Sequence, residues 1–271
     1  MSVPPASKAP LLAALAIAAL GASCLGSVAD EAFVDSFADL DRDRWYVSSG
    51  WVNGDHQGCV WHDSQVRVAD GTLVLTVSEA PAQAELERDV LCGEIQTRNA
   101  LGHGLFEASV RAAEGSGLVF GFFTYTGPTH GNPHDEIDVE IIGRRAREVQ
   151  LNYFVDGQGG HEEKLPLPVA AHADFLHFAI DWREDALRWY LDGRLIHEVT
   201  GDALPQARQK LFFHIWNGTE RSEGWLGSFE RGALPVTTEV DWVAYTPLGR
   251  ACAFPRSISC REDWERLGDR S

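Results

Sequence analysis

Positive charge is what this chain has least of. Its 23 lysines and arginines are outnumbered by 40 aspartates and glutamates, for a formal net charge of −17. That balance argues against nucleic acid or an anionic membrane as partner, because both attract proteins through lysine and arginine. Helical periodicity is scarce too, and no internal repeat, low-complexity tract or Pro/Ser-rich linker divides the sequence. There is no G-x-S-x-G, the signature of many serine hydrolases. No C-x-x-C pair occurs, and His130, His134, His172 and His177 lack zinc-type spacing, so no zinc centre is expected. The longest apolar run, Leu11–Leu20, has ten residues, where a bilayer requires about 20. What is left is compatible with a neutral polymer, such as a polysaccharide, as partner.

The apolar run follows Lys8, the one charged residue in positions 1–29, and precedes the small residues Ser27-Val28-Ala29. This is the pattern of a secretory signal peptide cleaved after Ala29. A rival reading takes Gly21-Ala22-Ser23-Cys24 as a lipoprotein signal, although glycine is a poor residue three places before the cysteine. Cleavage after Ala29 leaves 22 basic and 40 acidic residues, net −18, in one chain long enough for a single large all-β domain. The product is expected to be secreted or periplasmic, monomeric, and free of the membrane. It keeps Cys59, Cys92, Cys252 and Cys260. An even number in an exported protein reads as two disulfides, with three pairings open. Cys59–Cys92 and Cys252–Cys260 are the expected pairs, since each closes a local loop.

Short alternating or apolar runs, punctuated by Gly, Asp, Asn and Pro, predict a sandwich or barrel. Strands are expected at Thr72–Ser78, Gly104–Ala112, Leu118–Thr124, Asp135–Ile142 and Glu148–Phe154. Others are expected at Phe175–Trp182, Leu187–Leu191, Arg194–Val199, Lys210–Trp216 and Thr238–Tyr245. Asp192-Gly193 is a strong two-residue hairpin signal, and Asp70-Gly71 turns the chain in the same way. A short helix near 261–267 is the one helical segment considered. Two stacked antiparallel sheets, one of them concave, leave a groove for an extended polymer. Trp182, Trp189 and Trp242 are assigned to packing, whereas Trp216 and Trp225 flank the polar loop Asn217-Gly218-Thr219-Glu220 and are candidates for stacking on sugar rings.

The most informative stretch is His134-Asp-Glu-Ile-Asp-Val-Glu-Ile-Ile-Gly143. Strict alternation puts Glu136, Asp138 and Glu140 on one face of a strand. Like charges so placed cost about 0.2–1 kcal/mol per close pair, which suggests the acids have a use. Glu136 and Glu140 lie roughly 13 Å apart at Cα, and inward-leaning side chains bring their carboxyls to about 5–6 Å. Retaining glycosidases hold two carboxyls about 5–5.5 Å apart and inverting ones about 6.5–9.5 Å. Asp138, on a shorter stem, can hold one glutamate and keep the other protonated by its charge. The bland alternative is a solvated acidic strand face.

The neighbouring sequence decides between these. Gly121-Phe-Phe-Thr-Tyr-Thr-Gly-Pro128 and Gly131-Asn-Pro-His-Asp-Glu-Ile-Asp-Val-Glu-Ile-Ile-Gly143 resemble glycoside hydrolase family 16, in particular its bacterial β-1,3-1,4-glucanases (lichenases). Val149-Gln-Leu-Asn-Tyr153, Gly157-Gln-Gly-Gly160, Trp189-Tyr-Leu-Asp-Gly193, Trp225-Leu-Gly227 and Glu239-Val-Asp-Trp242 continue the likeness, in the family's order, over about 33–247. The resemblance implies an all-β, two-sheet β-jelly-roll sandwich of concanavalin type with a concave substrate cleft. It divides the chain into a signal peptide (1–29), a catalytic domain (30–250) and a C-terminal tail (251–271) stapled by the second disulfide. By motif position Glu136 is the nucleophile, Glu140 the general acid/base and Asp138 the assisting carboxylate of a retaining reaction. Its pH profile is expected to be a bell.

The resemblance also places Asn53, Glu94, Phe123, Tyr125, Asn152, Trp216 and Trp225 in the cleft, and puts Cys59 and Cys92 where the lichenases have a disulfide. No cofactor is needed for catalysis. A structural calcium is implied, with the Gly71 carbonyl and Asp241 matching two of its ligands. The chain departs from the lichenases at four further cleft positions. His134 stands for tryptophan, as in xyloglucan-active members; Gln96 stands for arginine, Phe154 for tyrosine and His214 for asparagine. The expected activity is endo-hydrolysis of β-1,3-1,4-type glucan linkages. The alternatives are trimming of a bacterial exopolysaccharide such as succinoglycan, β-glucan transglycosylation and, last, a non-catalytic carbohydrate-binding module.

Overall fold

The computed structural model describes residues 30–250 and 252–261. Residues 1–29, where a signal peptide is expected, and all but the first residue of the helix considered at 261–267, lie outside the described residues. In chain order the strands are β1 (Phe33–Asp35), β2 (Trp45–Val47), β3 (Val60–Trp61), β4 (Val66–Ala69) and β5 (Thr72–Glu79). Next come β6 (Val90–Thr97), β7 (Gly104–Arg111), β8 (Leu118–Thr126), β9 (Asp135–Ile142) and β10 (Glu148–Phe154). The remainder are β11 (Glu163–Pro166), β12 (Leu176–Trp182), β13 (Ala186–Leu191), β14 (Arg194–Thr200), β15 (Lys210–Asn217) and β16 (Val236–Pro247). Among the described residues the one α-helix, α1 (Glu223–Leu226), follows β15 after a 3₁₀ turn. Among the described residues no helix is long and apolar enough to cross a membrane.

Every strand expected from alternation forms, within a few residues at either end. Asp192-Gly193 and Asp70-Gly71 turn with all four residues at positive φ, the backbone of a tight primed turn. The short strands β1 to β4 and β11, and the eight-residue β6, were not expected. The buried β6 explains itself: all eight of its residues are covered on both faces, so its pattern does not alternate.

β6 is also where the two sheets meet. Val90 to Cys92 pair with β5, and Gly93 to Gln96 pair with β15. Gly93 makes the crossing possible, because a Cβ there would lie 2.6 Å from the Gln65 carbonyl oxygen. On one side of the crossing the order is β11-β10-β9-β8-β15-β6, and on the other β5-β16-β7-β12-β13-β14. The inward faces bury Phe122, Phe213, Ile137, Val139 and Ile141 from the first sheet with Phe106, Phe178, Ile180 and Trp189 from the second. Burying such side chains supplies about 1.5–3 kcal/mol each, the main force holding the sheets together.

Both expected disulfides form. Cys59–Cys92 ties the β3 segment to β6 immediately before Glu94. Cys252–Cys260 closes the tail, which lies on the outer face of the second sheet. There Ile258 packs with Leu105, Ala179 and Tyr190. Ser257 and the Ile258 N–H donate to the fully buried Glu107, which also meets His177. Trp182, Trp189 and Trp242 are buried as expected, Trp242 against Phe254 of this tail.

Candidate active site

Antiparallel register carries the alternation of β9 across the whole first sheet, in three rows on its outer face. Lys164, Gln150, Glu140, Gly121, His214 and Glu94 form one row. Asn152, Asp138, Phe123, Phe212 and Gln96 form the next. Phe154, Glu136, Tyr125 and Lys210 form the third. All of these residues except Gly121 and Lys210 line a cleft of about 1340 Å³. Asn53, Trp216 and Trp225 reach it from the flanking loop, the end of β15 and α1. All three acids and all eleven expected cleft residues therefore line one cavity.

Asp135 faces the other way. Its carboxylate accepts from the N–H groups of Asp156, Gln206 and Ala207, tying the start of β9 to two loops. From the opposite sheet, the Trp189 indole donates to the Asp138 carbonyl oxygen at 3.1 Å. The acidic strand is thus held at its entrance and at its centre.

The three acids differ sharply in environment. Burial pushes Glu140 up to about 8, reinforced by the charges of Glu136 and Glu162, although a 2.7 Å hydrogen bond from Gln150 opposes the shift. Burial also carries Asp138 well above the carboxylate range, with the charges of Glu136 and Glu140 and a hydrogen bond to Glu136 adding to it. Glu136 meets His134 Nε2 at 2.6 Å, and this bond raises the imidazole's pKa despite burial. Tyr125, raised first by burial and then by Glu136, packs edge-on to His134. Glu140, its protonated form favoured by burial, thus faces Glu136, which is held between an imidazole and a buried acid.

At the other end of the cleft, Ser48 donates to Glu94 at 2.5 Å. The Trp216 indole donates to His214 Nε2 at 3.2 Å, which fixes the proton of a neutral imidazole on Nδ1, 3.6 Å from Glu94. Trp216 is only 6% exposed, so it offers the cleft a narrow face rather than a free platform. Three departures are structurally linked to their neighbours: His134 stacks on Phe154 at 4.8 Å, and His214 fills space that a side chain at Gly121 would occupy.

Sequence reasoning missed Gln150, Phe212, Trp51, His56, Glu162 and Lys164, which also line the cleft. Strand parity with Asn152 and His214 was enough to find Gln150 and Phe212. Trp51 and His56 sit on a loop whose position depends on the Cys59–Cys92 staple, and no local pattern marks them.

The two calcium candidates come together on the far side of the sandwich. The pairing Leu73↔Val240 brings the Asp70-Gly71 turn alongside Asp241, at an irregularity in the β16 register. There the Asp241 carboxylate accepts from Arg256 at 3.2 Å. Among the described residues no cluster of three or more His, Cys, Asp or Glu is arranged to hold a metal.

The sequence profile of glycosyl hydrolases family 16 matches residues 53–244. The chain belongs to this family. It is accordingly a glycoside hydrolase. Its relatives include the endo-1,3-1,4-beta-glycanase ExoK of Rhizobium meliloti (strain 1021), 43% identical over 232 residues, covering 85% of this chain and 84% of that protein. A beta-glucanase of Brevibacillus brevis is 39% identical over 219 residues, 80% of this chain and 82% of the other. Among solved structures, a prokaryotic beta-1,3-1,4-glucanase (lichenase) from a mouse hindgut metagenome superposes with a TM-score of 0.76 at 33% identity, covering 80% of this chain and 99% of that one. The Bacillus licheniformis beta-glucanase gives 0.74 at 33% identity, over 80% and 98%. The sandwich of this family 16 enzyme is the jelly roll expected from its sequence.

Proposed function

We propose that the protein is an exported, endo-acting retaining β-glycanase that hydrolyses β-1,3-1,4-type glucan linkages. The observation that carries this reading is the electrostatic division within one cleft, Glu140 protonated and Glu136 clamped by His134 and Asp138. Glu136 attacks the anomeric carbon while Glu140 protonates the leaving oxygen. Glu140, now a carboxylate, then takes the proton of the water that releases the glycosyl-enzyme. Asp138 stabilises the arrangement by sharing a hydrogen bond with Glu136. A cleft crossing six strands suits attack within a polymer rather than at its end. Two disulfides favour an oxidising compartment, reached once residues 1–29 are removed.

A second reading, endo-cleavage of a bacterial exopolysaccharide, is favoured by Gln96, Phe154 and His214, which depart from the lichenases and line the cleft. His134 also motivates transglycosylation, in which a sugar hydroxyl replaces water in the second step. One experiment addresses all three: incubation of the purified protein with barley β-glucan, laminarin, xyloglucan and succinoglycan, with product sizing over time. Rapid shortening of barley β-glucan is the expected result. Shortening of succinoglycan alone supports the second reading. Lengthened oligosaccharides at high acceptor concentration support transglycosylation, and intact polymer in every sample overturns the glycanase reading.

A further inference from the structure

Among the described residues, positive charge is neutralised wherever it is partly buried, with one exception. Seven lysines and arginines among the described residues are not fully exposed. Arg44, Arg88, Arg111, Arg145, Arg183 and Arg188 each lie against a carboxylate. Lys210 does not, although the chain holds 40 acidic residues. Its ammonium donates to the amide oxygen of Gln96 at 3.0 Å, and Gln96 lines the cleft. Among the described residues no carboxylate stands within ion-pair distance of it.

The surroundings sharpen the anomaly. Burial lowers the Lys210 pKa, and the positive charge of Arg98 lowers it further. Lys210 in turn adds to the effect of burial in lowering His130, a cleft residue. A half-buried ammonium without a counter-ion is costly to hold, and that cost is removed when a ligand supplies the anion. Lys210 is not itself among the residues lining the cleft, but it borders them on the same face, through Gln96. Lys210 pairs with Tyr125 and Tyr125 with Glu136, so it stands two strands from the reacting glutamate on the same face. Two strands are about 10 Å, a sugar residue or two from the bond being cut.

We propose that Lys210 forms an acidic-sugar subsite that takes a carboxylate carried by the polysaccharide close to the scissile bond. The inference rests on the glycanase reading and narrows its substrate to carboxylate-bearing β-glycans. The central acids repel such a polymer, and a cation at the cleft rim selects the register in which the substituent lies clear of them. The compact ammonium, with three rotatable donors, accommodates a carboxylate in more than one orientation.

The test compares kcat/KM on barley β-glucan with two acidic derivatives of it. One is oxidised at a fraction of its C6 positions, which puts the acid on the backbone sugar; the other is lightly carboxymethylated, which puts it on a substituent. Wild type is expected to favour at least one derivative over the parent about ten-fold at low salt. This preference should shrink at about 0.5 M salt. In Lys210→Met the ratio falls to about one, whereas Lys210→Arg keeps most of it. Preference for one derivative alone identifies where the acid sits. The proposal is overturned if wild type favours the unmodified polymer over both, or if Lys210→Met leaves the ratio unchanged. A wild type that cuts none of the three overturns the glycanase reading instead. Calorimetric titration with carboxymethylated cello-oligosaccharides then decides the subsite: tighter binding lost in Lys210→Met supports it, and equal binding by both proteins overturns it.

Discussion

Glu136→Gln is expected to lower turnover at least about 10⁴-fold, and Glu140→Gln about 10²- to 10⁴-fold, with different kinetic signatures. Without the Glu136 carboxylate no glycosyl-enzyme forms, so substrates with good and poor leaving groups fail alike. Without the Glu140 proton the loss depends on the leaving group. An aryl glycoside that departs unassisted should still load the enzyme, giving a burst followed by slow deglycosylation. The alanine variants separate the roles further. Azide in place of Glu140 attacks the glycosyl-enzyme and yields a β-glycosyl azide, whereas azide in place of Glu136 attacks the substrate directly and yields the α anomer. Undiminished cleavage by Glu136→Gln would remove the assigned nucleophile. Exchange of the two azide products would reverse the assignments.

The second large effect is on stability and follows from Glu140 being pushed up to about 8 by burial. A carboxyl whose folded pKa exceeds its unfolded value of about 4.3 binds more protons folded than unfolded. Stability therefore falls as pH rises from near 4 through 8, and is not regained above that. Asp138, raised by the same burial and by its two neighbours, acts in the same direction. Glu140→Gln cannot ionise and escapes this loss, amounting to a few kcal/mol. Its Tm should match wild type near pH 4.5 and exceed it by about 5 °C or more at pH 9. Thermal unfolding of the two proteins across that range is the measurement. A constant Tm difference at all pH values would show that Glu140 is not held protonated by the fold. The expected trade is a site less stable than its inert variant, as befits a carboxyl kept neutral for catalysis.

What could be read in advance depended on how locally it was encoded. Three alternating acids in β9 define a face by themselves, and the structure adds only the register that carries that face onto β8, β10 and β15. The union of Glu94 with His214 is of another kind. The two residues are paired across strands separated by 120 positions, and nothing in either segment states the pairing. Resemblance places each residue in the cleft separately, but neither their pairing nor the His214–Trp216 bond is legible there. Trp216 looked like an exposed platform because its loop is polar, but its indole edge is committed inside the cleft. β6 escaped notice because burial on both faces erases alternation. The tail contact onto Glu107 escaped because Ser257 lies 150 residues away. Lys210 was visible as a strand residue, but its lack of a carboxylate partner is a property of three-dimensional space.

The most direct test of the central claim is the anomeric configuration of the first product released from barley β-glucan, followed by proton NMR before mutarotation. Glu136 as nucleophile and Glu140 as acid/base require two displacements, so the new reducing end should appear as the β anomer and only later equilibrate with the α. The α anomer appearing first would mean a single displacement by water, and would contradict the assignment of Glu136.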